Sequence, residues 1–348
     1  MPIPTEGIGS IPRPATLIEG MTTGAADLEA RFDAAVADTI ARLEKLGAPV
    51  ISDGEQRKPS FATYPLSGAT NLRGDGVVIP FADGHTRQLP ALTGGPFRYR
   101  KYAAEYLQAA QKHAHRPIKQ AVIAASAMSL LYPQEALNGY SRDAFLEDLV
   151  GEAELDIRRC LNAGADSVQL DFTEGRLAVK LDPSKGLLNA FVDLNNRVLD
   201  RFTADERRKI GVHTCPGGDR DSTHSADVDY AELLPSLFRL HVGRFYVQLA
   251  SEANPTRVLE ILKTYAQPGR IIFVGVIDPI NPTIESAEVV RDRILAAAKV
   301  IDPSLLGSTD DCGFAPFGDD VSTSRETAFA KIRARIEGNA LASKSLGI

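Results

Sequence analysis

The chain has 348 residues, a net charge of −6, a hydrophobic fraction of 44% and a charged fraction of 24%. That is an ordinary globular composition, with no basic stripe for nucleic-acid phosphates. No window approaches about 18 uncharged apolar residues, and no basic segment followed by an apolar one opens the chain, so neither a membrane span nor a secretory leader is expected and a cytoplasmic protein is.

In chain order, Thr5-Glu-Gly-Ile-Gly-Ser10 reads as a short strand stopped by Pro12 and Pro14. Residues 25 to 46 carry apolar positions at three- and four-residue spacing and predict a helix. Ala48-Pro-Val-Ile-Ser-Asp53 is a second short strand, running into Gly54-Glu55-Gln56-Arg57-Lys58. Residues 59 to 98 are rich in Gly, Pro and Thr; they predict an inserted loop or hairpin, with short strands near 77–79 and 87–89. A helix over 100–114 and a strand from Ile118 to Ala125, closed by Ser126, come next.

The remaining pattern alternates. Helix 142–163 precedes strand 165–171, helix 188–203 precedes strand 209–215, and a helix near 229–240 precedes strand 244–250. Helix 256–265, strand 270–278, helix 284–300, a short strand near 305–309 and helix 323–337 complete the chain.

Strands apolar throughout and alternating with helices belong to parallel sheets covered on both faces. Eight such units predict an α/β fold, a single (β/α)8 barrel over residues 1–348, with a doubly wound open sheet as runner-up. A barrel collects its reactive residues where strands end. Ser10, Asp53 with Glu55, Ser126, Asp171, His213 with Cys215, Gln248, Asp278 and Cys312 all lie at or just beyond an expected strand end.

Residues two apart in a strand point to one face, so His213 and Cys215 can present an imidazole and a thiolate to one point, joined by Cys312 from the last strand. Mixed nitrogen and sulfur donors suit Zn²⁺ over Mg²⁺ or Ca²⁺, and three protein ligands leave a position open for reaction. Three cysteines do not make a disulfide framework. Cys160, inside helix 142–163, reads as core. His224 follows the metal strand in a polar loop placed to line the pocket. Asp278 stands before Asn281-Pro-Thr-Ile-Glu285, where it either orients a ligand or caps a helix.

His213-Thr-Cys215 and Asp311-Cys312-Gly313, with Ile8-Gly-Ser10, Ser52-Asp-Gly-Glu55 and Gln169-Leu-Asp171, resemble the catalytic barrel of cobalamin-independent methionine synthase over nearly the whole chain. The resemblance implies Zn²⁺ held by His213, Cys215 and Cys312, activating the thiol of homocysteine for attack on a methyl donor. It implies also that Ser10, Glu55 and Asp171 bind the amino-acid substrate, the carboxylates pairing with its ammonium group.

Two departures stand out. Where the family has a ligand glutamate, strand alignment places Gln248, with Glu252 four residues on as the alternative fourth ligand. The two-barrel members of the family are also longer than this chain, which puts a folate donor in question. Related single-barrel zinc enzymes add coenzyme M to epoxides. Its sulfonate needs cations, for which the chain offers Arg57, Lys58, Arg176 and Lys180. A non-catalytic zinc-binding barrel and a metal-free lyase using Asp171 and Glu55 as acid and base are further readings. The expected partners are a small thiol and a methyl or alkyl donor, without nucleic acid or membrane, in a monomer or homodimer.

Overall fold

The structure is a computed structural model that describes residues 2–217 and 223–348. Six strands form one parallel sheet in sequence order: β1 Lys119–Ile123, β2 Ser167–Asp171, β3 Ile210–Thr214, β4 Arg244–Val247, β5 Ile271–Ile277 and β6 Leu306–Asp310. Two shorter segments complete the ring. Thr5 bridges Ser308 of β6, and Ile51 bridges Ile118 at the entrance to β1. The two segments then meet each other, through Ile11 N to Gly54 O at 3.0 Å and Ser52 Oγ to Gly9 O at 2.9 Å. The result is the (β/α)8 barrel.

Every residue of β1, β2, β3 and β6 is buried, because helices cover the outside and side chains fill the inside. The large apolar core lies between strands and helices. Helix Arg142–Asn162, for example, contributes Phe145, Leu149, Ile157 and Cys160 to it, and its N-cap Ser141 accepts from Ala144 N at 3.1 Å. Such a cap stabilises by about 1 kcal/mol. Cys160 is thus a packing residue.

Inside the ring the filling is different. Ile8, Tyr246 and Phe273 form a small apolar cluster there, with Ile271 packed against it, and a polar column accompanies them. Glu6 accepts from Arg244 at 2.7 Å and Tyr246 at 2.8 Å. Lys119 stands 3.8 Å from Glu6 and donates to Gln169 Oε1 at 2.7 Å, and Gln169 Nε2 donates to Asp171 at 2.8 Å. Gln169 and Asp171, two apart on β2, share the inward face.

Several elements depart from expectation for identifiable reasons. The first two strands reduce to single bridges, and prolines and glycines flank both. The helix near 229–240 is two short turns, Tyr230–Glu232 and Leu234–Leu237, and Pro235 sits where only a first turn tolerates it. Helices Ala15–Thr23 and Glu174–Leu181 add to those anticipated, and the last helix runs to Leu346. The inserted segment does form ribbons, Val78–Pro80 with Thr86–Gln88 and Leu72–Arg73 with Ala91–Leu92. Beyond the first of these, Ala82 N donates to Thr223 O at 2.7 Å. The inserted hairpin therefore rests on the loop that follows β3.

Candidate metal and substrate site

His213 lies in β3, Cys215 one residue past its end, and Cys312 two residues past the end of β6. Parallel strands end on the same side of the barrel, and the three ligand atoms come within 4.8 Å of one another, all buried. The sulfurs of Cys215 and Cys312 are 2.9 Å apart, well beyond the length of a disulfide bond, and neither is in a disulfide. Among the described residues neither ring nitrogen of His213 has a well-formed hydrogen bond, its interaction being with the Cys215 sulfur. A buried imidazole without well-formed hydrogen bonds costs about 1–3 kcal/mol unless a ligand completes it.

Charge at the site is biased the same way. Burial would raise the Cys215 pKa, but the hydrogen bond with Cys312 and the charge of His213 lower it well below the usual thiol range. For His213 burial opposes charging, and the Cys215 thiolate outweighs it, raising the pKa. Two cysteine sulfurs and one imidazole fit Zn²⁺ and do not fit the oxygen-seeking cations.

The two residues considered for a fourth ligand part company. β3 and β4 pair Thr214 with Val247, so Gln248 comes next to Cys215. Ser251 Oγ donates its single hydrogen to Asp311 at 2.6 Å, so it can only accept from Gln248 Nε2 at 2.8 Å. The amide is thereby oriented, and its buried Oε1 has no partner among the described residues. Glu252, in contrast, accepts from Arg176 at 2.6 Å in a buried ion pair and does not belong to the metal-ligating group. It is committed elsewhere.

Opposite the thiolates stand the carboxylates. Gly54 and Glu55 both have positive φ, 66° and 55°, a conformation that a non-glycine residue adopts only when its surroundings impose it. Asp53 Oδ1 accepts from Glu55 N at 3.0 Å, and Lys58 Nζ donates to Glu55 at 2.8 Å and Ala121 O at 2.9 Å. Burial pushes Asp171 up, reinforced by the charge of Glu55, to about 6. Ser10 packs on the loop after Cys312: its Oγ accepts from Ala315 N at 3.2 Å, and a Cβ on Gly313 would lie 2.1 Å from it. Glycine after the ligand cysteine is what admits Ser10.

These groups open into a cavity of about 650 Å³ at the C-terminal mouth of the barrel. Ser10, Glu55, Asp171, His213, Cys215 and Cys312 line it together, as does His224. Burial, which Cys215 opposes and Lys180 and Arg176 reinforce, lowers His224 to about 4 and leaves it a neutral imidazole. Residues 218–222, the polar loop before Thr223, lie outside the described residues.

Other sequence candidates do not reach this wall. Arg57 pairs with Glu29 and covers Phe32, because its side chain leaves the loop on the outer side. Lys58 lies behind Glu55 as its counter-ion. Asp278 caps its own loop, accepting from Ile280 N at 2.9 Å and Asn281 N at 3.3 Å, while Ser286 caps the following helix and Glu285 bonds Lys331. Ser126 is held behind the wall by Glu174 and Asn195.

Three contributions were not anticipated. Gln169 and Glu174 line the cavity, as does the apolar rim of Ile79 and Phe81 on the inserted hairpin. Gln169 was detectable from its two-residue spacing to Asp171. Glu174, in the first turn of a helix right after a strand, was visible only as an acid well placed for a helix start.

Comparison with known proteins bears on all of this. The family described as cobalamin-independent synthase, catalytic domain, matches residues 3–331. A methionine synthase of Sulfurisphaera tokodaii is 22% identical over 99% of this chain and 94% of its own length, and one of Sulfolobus acidocaldarius is 24% identical over 89% and 85%. A B12-independent methionine synthase from Shewanella, solved with selenomethionine, superposes with a TM-score of 0.79 at 21% identity over 99% of both chains, so the barrel is shared throughout.

Proposed function

This chain belongs to the family of cobalamin-independent synthase catalytic domains, and from that premise we propose that it is a zinc-dependent methyltransferase that methylates homocysteine to methionine. The carrying observation is the buried cluster of His213, Cys215 and Cys312, with ring nitrogens that lack well-formed hydrogen bonds among the described residues, at the floor of a cavity that can admit a substrate. Gln248 Oε1 is the fourth protein donor in this reading. Zinc there would supply Lewis acidity, holding a substrate thiol as thiolate at neutral pH.

The protein's own groups do the rest. Glu55 and Asp171 take the substrate ammonium between two carboxylates, and Ser10 Oγ is the hydroxyl beside them. Gln169 donates to one oxygen of Asp171 and leaves the other for the substrate. His224, neutral and on the wall, is too weak a base at about 4 to keep the proton of the incoming thiol and would only relay it. The rim of Ile79, Phe81 and Phe317 excludes water and receives the donor. The whole of 1–348 acts as one catalytic barrel domain, cytoplasmic, as monomer or homodimer, in methionine biosynthesis. No helix among the described residues is long and apolar enough to cross a membrane.

Epoxide opening by coenzyme M is the weaker reading. Among the described residues lining the cavity the one cation is Arg87, which is taken up by Asp319 at 3.1 Å and the face of Phe317. A sulfonate finds carboxylates where it needs guanidinium groups. A titration of the zinc protein with homocysteine and with coenzyme M tests the choice: homocysteine binds more tightly, and preference for the sulfonate would overturn the assignment. Metal analysis gives about one zinc per chain, and activity that survives chelation would return the lyase reading.

A further inference from the structure

Glu174 is 7% exposed, lines the cavity, and has no cation paired with it among the described residues. Its hydrogen bonds fix where a proton on it must sit. Ser126 N, which can only donate, points at Asn195 Oδ1 at 3.1 Å; the other end of that amide, Nδ2, then donates to Ser126 Oγ at 2.8 Å. Ser126 has one hydrogen left, and the acceptor in reach is Glu174 Oε1. Oε1 is thus occupied as an acceptor, and the acid proton belongs on Oε2, which is buried with no partner among the described residues. Nothing in the thiol and ammonium chemistry above uses this group.

We propose that Glu174 is the proton donor of this cavity, delivering the Oε2 hydrogen to the leaving group of the methyl donor. The inference rests on the methyltransferase reading. As the thiolate forms its S–CH3 bond, the donor's N–CH3 bond breaks with its electron pair passing to nitrogen. That nitrogen takes the proton from Oε2, and Glu174 is left as a carboxylate to be reprotonated from solvent. Its surroundings keep the acid form at neutral pH: burial, opposed by hydrogen bonds from Ser126 and from the backbone of Glu174 and Ala127 and reinforced by the charge of Asp171, raises Glu174 to about 8. The titratable and charged groups lining the cavity with it are Asp171, Glu55, His224, His213, Cys215, Cys312, Arg87 and Asp319. Leu177, one turn along the same helix, continues the apolar wall toward the hairpin, so a donor lying there would place its leaving group near Glu174.

The test is methyl transfer to homocysteine from two donors, 5-methyltetrahydrofolate, whose amine leaving group must gain a proton, and S-methylmethionine, whose thioether leaving group needs none. Glu174→Gln keeps the volume and the Ser126 hydrogen bond. It is expected to cut the ratio of amine-donor to sulfonium-donor turnover by about 100-fold or more. The wild-type amine-donor rate should fall as pH rises through about 8, and the variant should lose that step. An unchanged ratio, or a wild type that turns over the sulfonium donor alone, overturns the inference while the methyltransferase reading stands. A zinc protein that binds no homocysteine and uses neither donor removes both.

Discussion

Two sets of buried polar groups lie within the barrel, and they differ in whether they are complete. The column of Glu6, Lys119, Gln169 and Asp171 is linked from end to end by its own hydrogen bonds and charges. At the mouth, among the described residues, His213 has two ring nitrogens without well-formed hydrogen bonds and Gln248 an amide oxygen without one. A closed network rigidifies; an open one, in a native protein, marks where something else binds. The column holds the Asp171 carboxylate in place, and the mouth is where the proposed metal and thiol would bind.

The sharpest way to break the contrast is Cys312→Ala. It should abolish zinc retention in metal analysis and lower methyl transfer by about 1000-fold or more, since two remaining ligands do not hold the ion. Circular dichroism should find the barrel intact, because the ligand is not part of the column.

Acidity tests the upper end of the column. Asp171 sits at about 6 in the folded protein, so it is ionised above that pH and protonated below. A neutral acid does not hold an ammonium, so the KM for homocysteine should rise by about tenfold per pH unit below 6. Asp171→Asn should show the raised KM at all pH values, without that step.

Lys119→Met probes the column from below. Lys119 has no acceptor, so it obliges Gln169 to turn its oxygen down and its NH2 toward Asp171. Without it the amide is free to flip and face Asp171 with oxygen. The KM for homocysteine should rise by about tenfold with kcat changed less, and chemical denaturation should show a loss of about 3 kcal/mol as Glu6 and Gln169 lose a buried partner. Glutamine in place of Lys119, able to donate again, should recover part of the KM.

The smallest effect belongs to Gln248→Glu. A second oxygen donor carrying charge should slow zinc removal by a chelator by several-fold to about tenfold. If chelation is unaffected, the amide oxygen is not a ligand.

Much of this was legible in the chain. Apolar strands alternating with helices predicted the barrel, and the two-residue spacing of His213 and Cys215 placed two ligands on one face. Strand ends carried Glu55, Asp171 and Cys312 to one rim. Lys58 was legible as a charge but not as a counter-ion: whether it reaches the cavity or stands behind Glu55 depends on a loop in which Gly54 and Glu55 both adopt positive φ. Arg57, its neighbour, leaves on the other side for Glu29. Ser126 closes a strand, yet the helix Ala125–Ser129 turns it to Glu174 and Asn195.

What the sequence determined alone is whatever follows from local periodicity: strands, helices, and which residues share a face. The tertiary structure decided the pairing of charges. Glu252, in the sequence the alternative fourth ligand to Gln248, pairs instead with Arg176 at 2.6 Å, and Glu174 was one acid among many until burial and the Ser126 hydroxyl gave its proton a place. Backbone patterning acts over a few residues and can be read along the chain. The state of an ionisable group depends on what surrounds it in space, and those neighbours come from 48 residues away for Ser126 and Glu174 and 76 for Arg176 and Glu252.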